Sequence, residues 1–250
     1  MTTQKQGERI AKRIAAAGIC SRRDAERLID EGVVKLNGVK VTTPATIVTD
    51  TDIISVRGKK IAEPEKKIRV FRFHKPVGLV TTARDEMGRP TVFDGLPPEL
   101  PRLVSVGRLD LNSEGLLLMT TSGELSRFLE LPARQFARTY RVRVYGKIDH
   151  NRLEKLANGV TVEGVRYAPI EAIVERGQGM NNWLRVTIHE GKNREIRKVM
   201  AHLGLQVNKL IRLSFGPFEL DDLPKGALRE VPMGFLKRKL PEFFTKEDNK

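Results

Sequence analysis

The chain has 250 residues, 40% of them hydrophobic, enough for a real core in one large domain or in a medium domain plus a small one. Lys and Arg number 45 against 31 Asp and Glu, a formal net charge of +14, and a globular protein this basic meets a polyanion, with nucleic acid the first candidate. An anionic membrane surface fits less well, because no basic amphipathic helix with a bulky aromatic face is present. No run approaches the roughly twenty apolar residues of a membrane span, and the N-terminal segment has neither the apolar core nor the cleavage site of a secretory signal. The single cysteine, Cys20, excludes a disulfide within the chain and a cysteine-rich metal site. It reads as a small buried residue in a reducing, cytoplasmic compartment.

The first segment reads as a small module. In ERIAKRIAAAG, Ile10 and Ile14 lie four apart with Ala17 on the same side, which predicts a helix, and Gly18 can supply its left-handed end. Ser21 stands where it can cap a second helix, SRRDAERLIDEG, with Asp24 three residues later and Gly32 closing it. Ala25, Leu28 and Ile29 form the inward stripe. Asn37-Gly38 between alternating residues predicts a hairpin, and Arg57-Gly58 a second short strand pair. The module ends near Ile61.

AEPEKKIR reads as a linker. Beyond it, short strands, turns and a few helices alternate. RVFRFHKPVGLVTT predicts strand, a Lys75-Pro76 turn, and strand again. DEMGRPTVFDGLPPELPRL is a loop-rich connection with four prolines. In VSVGRLDLNSEGLLLMTT, Val104 and Val106 end a strand at Gly107, Arg108 to Gly115 form a polar loop, and the apolar run re-enters the core. Thr121 and Glu124 resemble a capping box for the helix ELSRFLEL. TYRVRVYGKI, NNWLRVTIHEG and KLIRLSFGPFEL read as strands. NREIRKVMAHLG reads as a helix with Ile196, Val199, Met200 and Leu203 on one face. The tail, KRKLPEFFTKEDNK, reads as charged and frayed. The whole is α+β, with helices packed against a mixed, mainly antiparallel sheet.

Arg22, Arg23 and Arg27 at the second helix, with Lys35 and Lys40 on the hairpin, form a basic ledge suited to a phosphate backbone. The alternative is a merely solvated helix face. The segment ERIAKRIAAAGICSRRDAERLIDEGVVKLNGVKV resembles the S4 RNA-binding domain. That resemblance implies structured RNA as partner, often ribosomal, and does not by itself imply catalysis.

Asp110 lies on the loop between two apolar strands. From the residues alone, a structural aspartate paired with Arg108 or capping a turn is the stronger reading, and no carboxylate pair for acid–base work is visible. Yet GRLDLNSEGLLLMTTSGEL resembles the signature of the RsuA/RluB family of ribosomal RNA pseudouridine synthases, in which the aspartate after Gly-Arg-Leu is catalytic. HKPVGLVTT, GRPTVFDGLP, and EGKNREIRKVM followed by LIRLSFGPF resemble further motifs of that family, in the right order and behind an S4 module. The resemblance runs from about residue 8 to about 235, and through Glu-Gly-Lys-Asn-Arg-Glu it leans to the large-subunit RluB type. Arg138-Thr139-Tyr140 departs from the expected Lys-x-Tyr, and Thr121-Ser122-Gly123 from Asn-Asp-Gly. The implied layout is an S4-like domain over 1–62, a linker over 63–69, a catalytic domain over 70–240 and a charged tail over 241–250.

Pseudouridine formation breaks the N-glycosidic bond of uridine and rejoins the base through carbon. As an isomerisation it needs no cofactor, which fits the lack of a nucleotide-binding glycine motif and of a metal cluster among four scattered histidines. It needs a sheltered carboxylate kept ionised by a cation. Arg194, Arg197 and Lys198 are spaced to share one helix face; the resemblance makes Arg197 the residue that meets Asp110, with Arg194 beside it on the substrate. The resemblance implies that Tyr140 stacks on the base and handles a proton. The target uridine must be flipped out, and Arg108 is placed to fill or brace the vacated space, or to make a loop salt bridge. Lys75, with Pro76, shapes the pocket floor. Asp110 attacks C1′, removes a C2′ proton, or adds to C6 of the base; the residues leave these routes open. The partner is ribosomal RNA, large-subunit by preference, and with no coiled-coil heptads the chain reads as a monomer. Rival readings are a small-subunit enzyme, a non-catalytic S4-type assembly factor, an S4-bearing tRNA ligase and a generic DNA binder.

Overall fold

The computed structural model describes residues 7–63 and 67–247. Residues 64–66 of the expected linker and 248–250 of the expected tail lie outside the described residues, as do residues 1–6. The chain divides into two compact units. One takes in the residues up to 68 together with Pro97–Leu103 and Thr121–Gly123; the other takes in Arg69–Leu96, Val104–Thr120 and the residues from 124 onward.

In the first unit, β1 (Glu8–Arg9) leads into α1 (Ile10–Ala16), followed by α2 (Arg22–Asp30), β2 (Val34–Leu36), β3 (Val39–Lys40), β4 (Ile47–Val48), β5 (Ile54–Val56) and β6 (Lys59–Lys60). Ser21 caps α2, its Oγ accepting from the Asp24 amide at 3.1 Å and donating to the Asp24 carboxylate at 2.6 Å. Asn37 and Gly38 have φ of 48° and 87°, and Arg57 and Gly58 of 50° and 78°. These are the paired left-handed residues that a tight hairpin demands. The strands order β3-β2-β5-β6, all antiparallel, and β1 pairs with β4. Ile10, Ile14, Ala25, Ile29, Val34, Val48 and Ile54 fill the core. Truncating Ile14, which is fully buried, to Ala would cost about 2–5 kcal/mol. Cys20 differs from expectation: it is half-buried at the edge of this core, in the turn between the helices. Pro97–Leu103 is grouped here although it comes from the proline-rich connection. Arg102 is its basic residue, with Cys20 and Asp24 as electrostatic neighbours and its pKa lowered by burial.

The second unit contains β7 (Val70–Lys75), β8 (Val104–Val106), β9 (Glu114–Thr120), α3 (Gly123–Glu130, of which Gly123 is grouped with the first unit), β10 (Arg138–Tyr145), α4 (His150–Glu154), β11 (Val160–Val162) and β12 (Val165–Tyr167). It continues with β13 (Ile170–Gln178), β14 (Asn181–Ile188), α5 (Glu195–His202), β15 (Gln206–Phe215), β16 (Phe218–Glu219), β17 (Leu228–Glu230), α6 (Met233–Lys239) and α7 (Pro241–Glu247). Among the described residues the main sheet has nine strands, with the path β13-β14-β10-β15-β9-β7-β17, β16 on β15 and β8 on β9. All its pairings are antiparallel except β15 with β9. β9 is buried at every residue, which explains why its sequence is a continuous apolar run rather than an alternating one.

The one parallel pairing sets Ile211 opposite Glu114 and Arg212 opposite Gly115. Gly115 has φ +108°, and a Cβ there would sit 2.3 Å from the Arg212 carbonyl oxygen. Only glycine allows this approach. It brings the start of β9, and the loop before it, against the middle of β15.

Three local expectations are corrected. The stretch after Lys75-Pro76 is not a strand; Val80 makes a single parallel bridge to Thr91, since the turns around it leave too little extended backbone to pair. β9 begins at Glu114, two residues earlier than expected, because Glu114 and Gly115 pair with β15. Residues 241–247 are not frayed but form α7. Leu236, Leu240 and Phe243 repeat at four and three residues and are buried, as is Phe244, and Phe243 meets Phe128 edge-on with ring centres 5.3 Å apart.

Candidate active site

The loop from Gly107 to Ser113 joins β8 to β9, and its backbone is tied at every step from Leu109 to Ser113. The Leu109 carbonyl accepts from Thr81 Oγ1 at 2.8 Å. The Asp110 carbonyl accepts from Lys75 Nζ at 3.1 Å and from the Ser113 amide at 3.0 Å. The Leu111 carbonyl accepts from the Gly78 amide at 2.9 Å, that of Asn112 from Arg197 Nη2 at 2.8 Å, and that of Ser113 from Lys75 Nζ at 2.9 Å. Lys75 is fully buried at the end of β7. Burial pushes its pKa down to about 8, with Asp110 and Glu114 pulling it back up. The Lys75-Pro76-Val77-Gly78 turn closes on Gly78 with φ +90°, a conformation that costs a side-chain-bearing residue strain. Glu114 follows the loop and is buried between Lys209 at 3.2 Å and Lys225 at 3.1 Å. Burial pushes its carboxyl up, and the two ammonium groups bring it below its ordinary range.

With its backbone fixed, Asp110 keeps its carboxylate open. The side chain is 36% exposed, and Oδ2 lies 3.7 Å from Arg194 Nη1. Both residues line a cavity of about 440 Å³ together with Arg108 and Tyr140. Tyr140 on β10 is 7% exposed, on the same side as Val142 and Val144, and its hydroxyl has no hydrogen bond among the described residues. Arg108 is exposed.

Arg197 and Lys75 do not line the cavity. Arg197 makes no ion pair with Asp110; its guanidinium donates to the Asn112 and Val207 carbonyls. Burial and the nearby Arg194 lower its pKa, which Asp110 partly restores. The carboxylate's ion-pair partner is therefore Arg194. The expected shared helix face fails because Arg194 precedes α5 as its left-handed N-terminal residue, φ 52°. That twist turns it away from the helical register of Arg197.

Against this geometry, the model of the RNA pseudouridylate synthase family matches residues 69–202, and that of the S4 domain matches residues 8–54. The chain belongs to the RNA pseudouridylate synthase family. An uncharacterized RNA pseudouridine synthase of Rickettsia felis is 46% identical over 231 residues, covering 92% of this chain and all of its own. The ribosomal large subunit pseudouridine synthase B of Yersinia pestis is 40% identical, covering 91% of this chain and 73% of that one. A solved pseudouridylate synthase structure superposes with a TM-score of 0.65 at 27% identity, over 93% of this chain and 99% of that one. The family and the α+β fold implied by the sequence are those found.

For a synthase of this family, the sequence missed several residues of the site. Thr81 and Gly78 hold the loop. Glu190 and Glu195 bracket the turn that presents Arg194: Glu195 accepts from the Lys192 amide at 3.0 Å, and Glu190 from the Lys192 ammonium at 2.6 Å. Glu195 is buried beside Glu190, and burial with that neighbour raises its pKa to about 7. Arg138 and Arg212 also line the cavity. A lone arginine in the apolar strand LIRLSF was the available signal for Arg212. Among the described residues, no group of three or more His, Cys, Asp or Glu is gathered to hold a metal, and no helix is long and apolar enough to cross a membrane.

In the first unit, Arg22, Arg23, Arg27, Lys35 and Lys40 are all exposed. Arg27 pairs with Asp24 at 3.2 Å. The β2–β3 register sets Lys35 directly opposite Lys40, a like-charge pair that is unfavourable without an anion nearby.

Proposed function

We propose that this synthase converts a uridine of large-subunit ribosomal RNA to pseudouridine, with Asp110 as the reacting carboxylate. The observation that carries the reading is the loop whose five carbonyls from Leu109 to Ser113 are bound while the Asp110 carboxylate stays open beside Arg194 in a cavity walled by Tyr140. The large-subunit substrate is supported by the printed names of relatives such as the Yersinia enzyme.

In this reading the bond from C1′ to N1 breaks, a bond from C1′ to C5 forms, C5 loses its proton and N1 takes one up; a proton removed from C2′ on the elimination route is returned there. Asp110 acts on the ribose, by attack at C1′ or by removal of the C2′ proton. Both routes need an ionised carboxylate, and Arg194 supplies the neighbouring positive charge. Tyr140 offers its ring face to the detached uracil, and its unengaged hydroxyl is available for a proton. Arg108, exposed beside the loop, occupies the space that the flipped uridine leaves. Lys75 and Arg197 are positioning residues: they hold the loop and do not touch the base. The exposed ledge of Arg22, Arg23, Arg27, Lys35 and Lys40 binds RNA phosphates, and an RNA anion relieves the Lys35–Lys40 opposition. We take residues 1–62 as the RNA-binding domain and 70–240 as the catalytic one, in a monomer acting in the cytoplasm on ribosomal RNA.

The test is pseudouridine mapping of ribosomal RNA from cells lacking the protein, complemented with the wild type or with Asp110→Asn. The expected result is loss of one large-subunit site, restored by the wild type alone. Loss of a small-subunit site would move the substrate. Persistence of every site would favour a non-catalytic role.

A further inference from the structure

Two arginines in the cavity lack a carboxylate to balance them. Arg212 on β15 is 3% exposed; its Nε donates to the Leu116 carbonyl at 2.7 Å, and its Nη2 is buried without a partner. Arg138 on β10 directs Nη1 at the carbonyls of Phe136 and Glu190, at 3.2 and 3.3 Å. Both guanidinium groups lie over the ring of Phe215, at 4.5 Å for Arg138 and 5.4 Å for Arg212. Among the described residues neither has a carboxylate at ion-pair distance.

Carbonyl dipoles and an aromatic face offset part of the cost of burying a guanidinium, but neither carries net charge. Burial, the largest influence, and the charge of Arg212 lower the Arg138 pKa, while Tyr140, Glu195 and Glu130 raise it in part. Glu195, with its own pKa raised to about 7, is only partly ionised at neutral pH and balances Arg138 incompletely. The result is a compact pair of cations, one with an unengaged donor, on the wall of the cavity that holds Asp110. The planar guanidinium fork matches an oxyanion with two oxygens in one plane, as a phosphodiester has.

We infer that Arg138 and Arg212, stacked on Phe215, form a subsite for a backbone phosphate next to the reacting uridine. The phosphate locates the nucleotide along the chain while Tyr140 and Asp110 address its base and sugar. The inference rests on reading this cavity as the uridine site.

The test measures affinity for an RNA fragment containing the mapped uridine, across salt concentrations, in an Asp110→Asn background that prevents turnover. Arg212→Gln and Arg138→Gln are each expected to weaken binding by about tenfold and to lower the slope of log Kd against log salt by about 1. Arg212→Lys is expected to keep most of the slope. A single uncharged methylphosphonate linkage beside the uridine should cost the parent protein more than it costs either Gln variant, and cost the double Arg138→Gln, Arg212→Gln variant nothing further. Unchanged slopes in both Gln variants, or a methylphosphonate penalty that adds in full to theirs, would overturn the subsite. Because Arg212 also holds Leu116, Arg138→Gln decides the matter if Arg212→Gln melts early. Conversion that survives Asp110→Asn would instead sink the reading of the cavity itself. Abolished conversion with unchanged slopes would sink only the phosphate subsite.

Discussion

In the loop around Asp110 each carbonyl from Leu109 to Ser113 accepts a hydrogen bond, two of them from a fully buried lysine. In the ledge of the first unit five cations stand exposed, and among the described residues only Arg27 has a carboxylate partner. The contrast matches what the proposed function asks of each group. A carboxylate that reacts at one carbon has to be located within a fraction of an ångström, so the chain fixes the backbone and leaves only the side chain open. Attraction to phosphates comes largely from counterion release and tolerates mobile side chains.

The contrast breaks most directly at Lys75. Lys75→Met removes three donated hydrogen bonds, to Pro76, Asp110 and Ser113. Conversion at saturating RNA should fall by about a hundredfold, with RNA affinity nearly unchanged; wild-type turnover would show that the tied loop is irrelevant to the chemistry. Gly115→Ala tests the same loop from its other end. A Cβ there meets the Arg212 backbone at φ +108°, so denaturant unfolding should show a loss of about 3 kcal/mol or more. A neutral outcome would mean β9 and β15 can separate without cost.

The ledge should behave differently. Arg22→Gln with Arg23→Gln should lower the salt slope of RNA binding by about 2 and leave turnover at saturating RNA unchanged. A drop in turnover would mean that the ledge also places the substrate. The smallest effect is expected at Glu195, which flanks Arg194. Its folded pKa is raised from 4.5 to about 7, so the native state holds more protons than the unfolded state between those values. Its contribution to stability is full below pH 4.5 and is lost as pH rises through about 7. Melting temperatures of Glu195→Gln across that range should lack this decline, and parallel curves for the two proteins would refute the assignment.

Much of the fold was legible because its signals are local. Ser21 before Asp24, Asn37-Gly38, and Gly58 after Arg57 carry their geometry in residues that favour caps or left-handed turns. Asp110 and Tyr140 were found through motif resemblance, and the fold sets both on one cavity. The loop's fixing was not legible, because Thr81, Gly78, Lys75 and Arg197 converge on it from distant parts of the chain. Nor was the exchange of Arg197 for Arg194 beside Asp110. Helical spacing assumes helical backbone, and a left-handed arginine carries no pattern that periodicity detects. At the C-terminal end, Leu236, Leu240 and Phe243 do carry a helical repeat, but the charges around them masked it.

The most direct measurement is conversion by purified Asp110→Asn beside its affinity for the same ribosomal RNA. The account predicts that the variant binds within about twofold of the wild type and converts at least about a thousandfold more slowly. Conversion at the wild-type rate would contradict it.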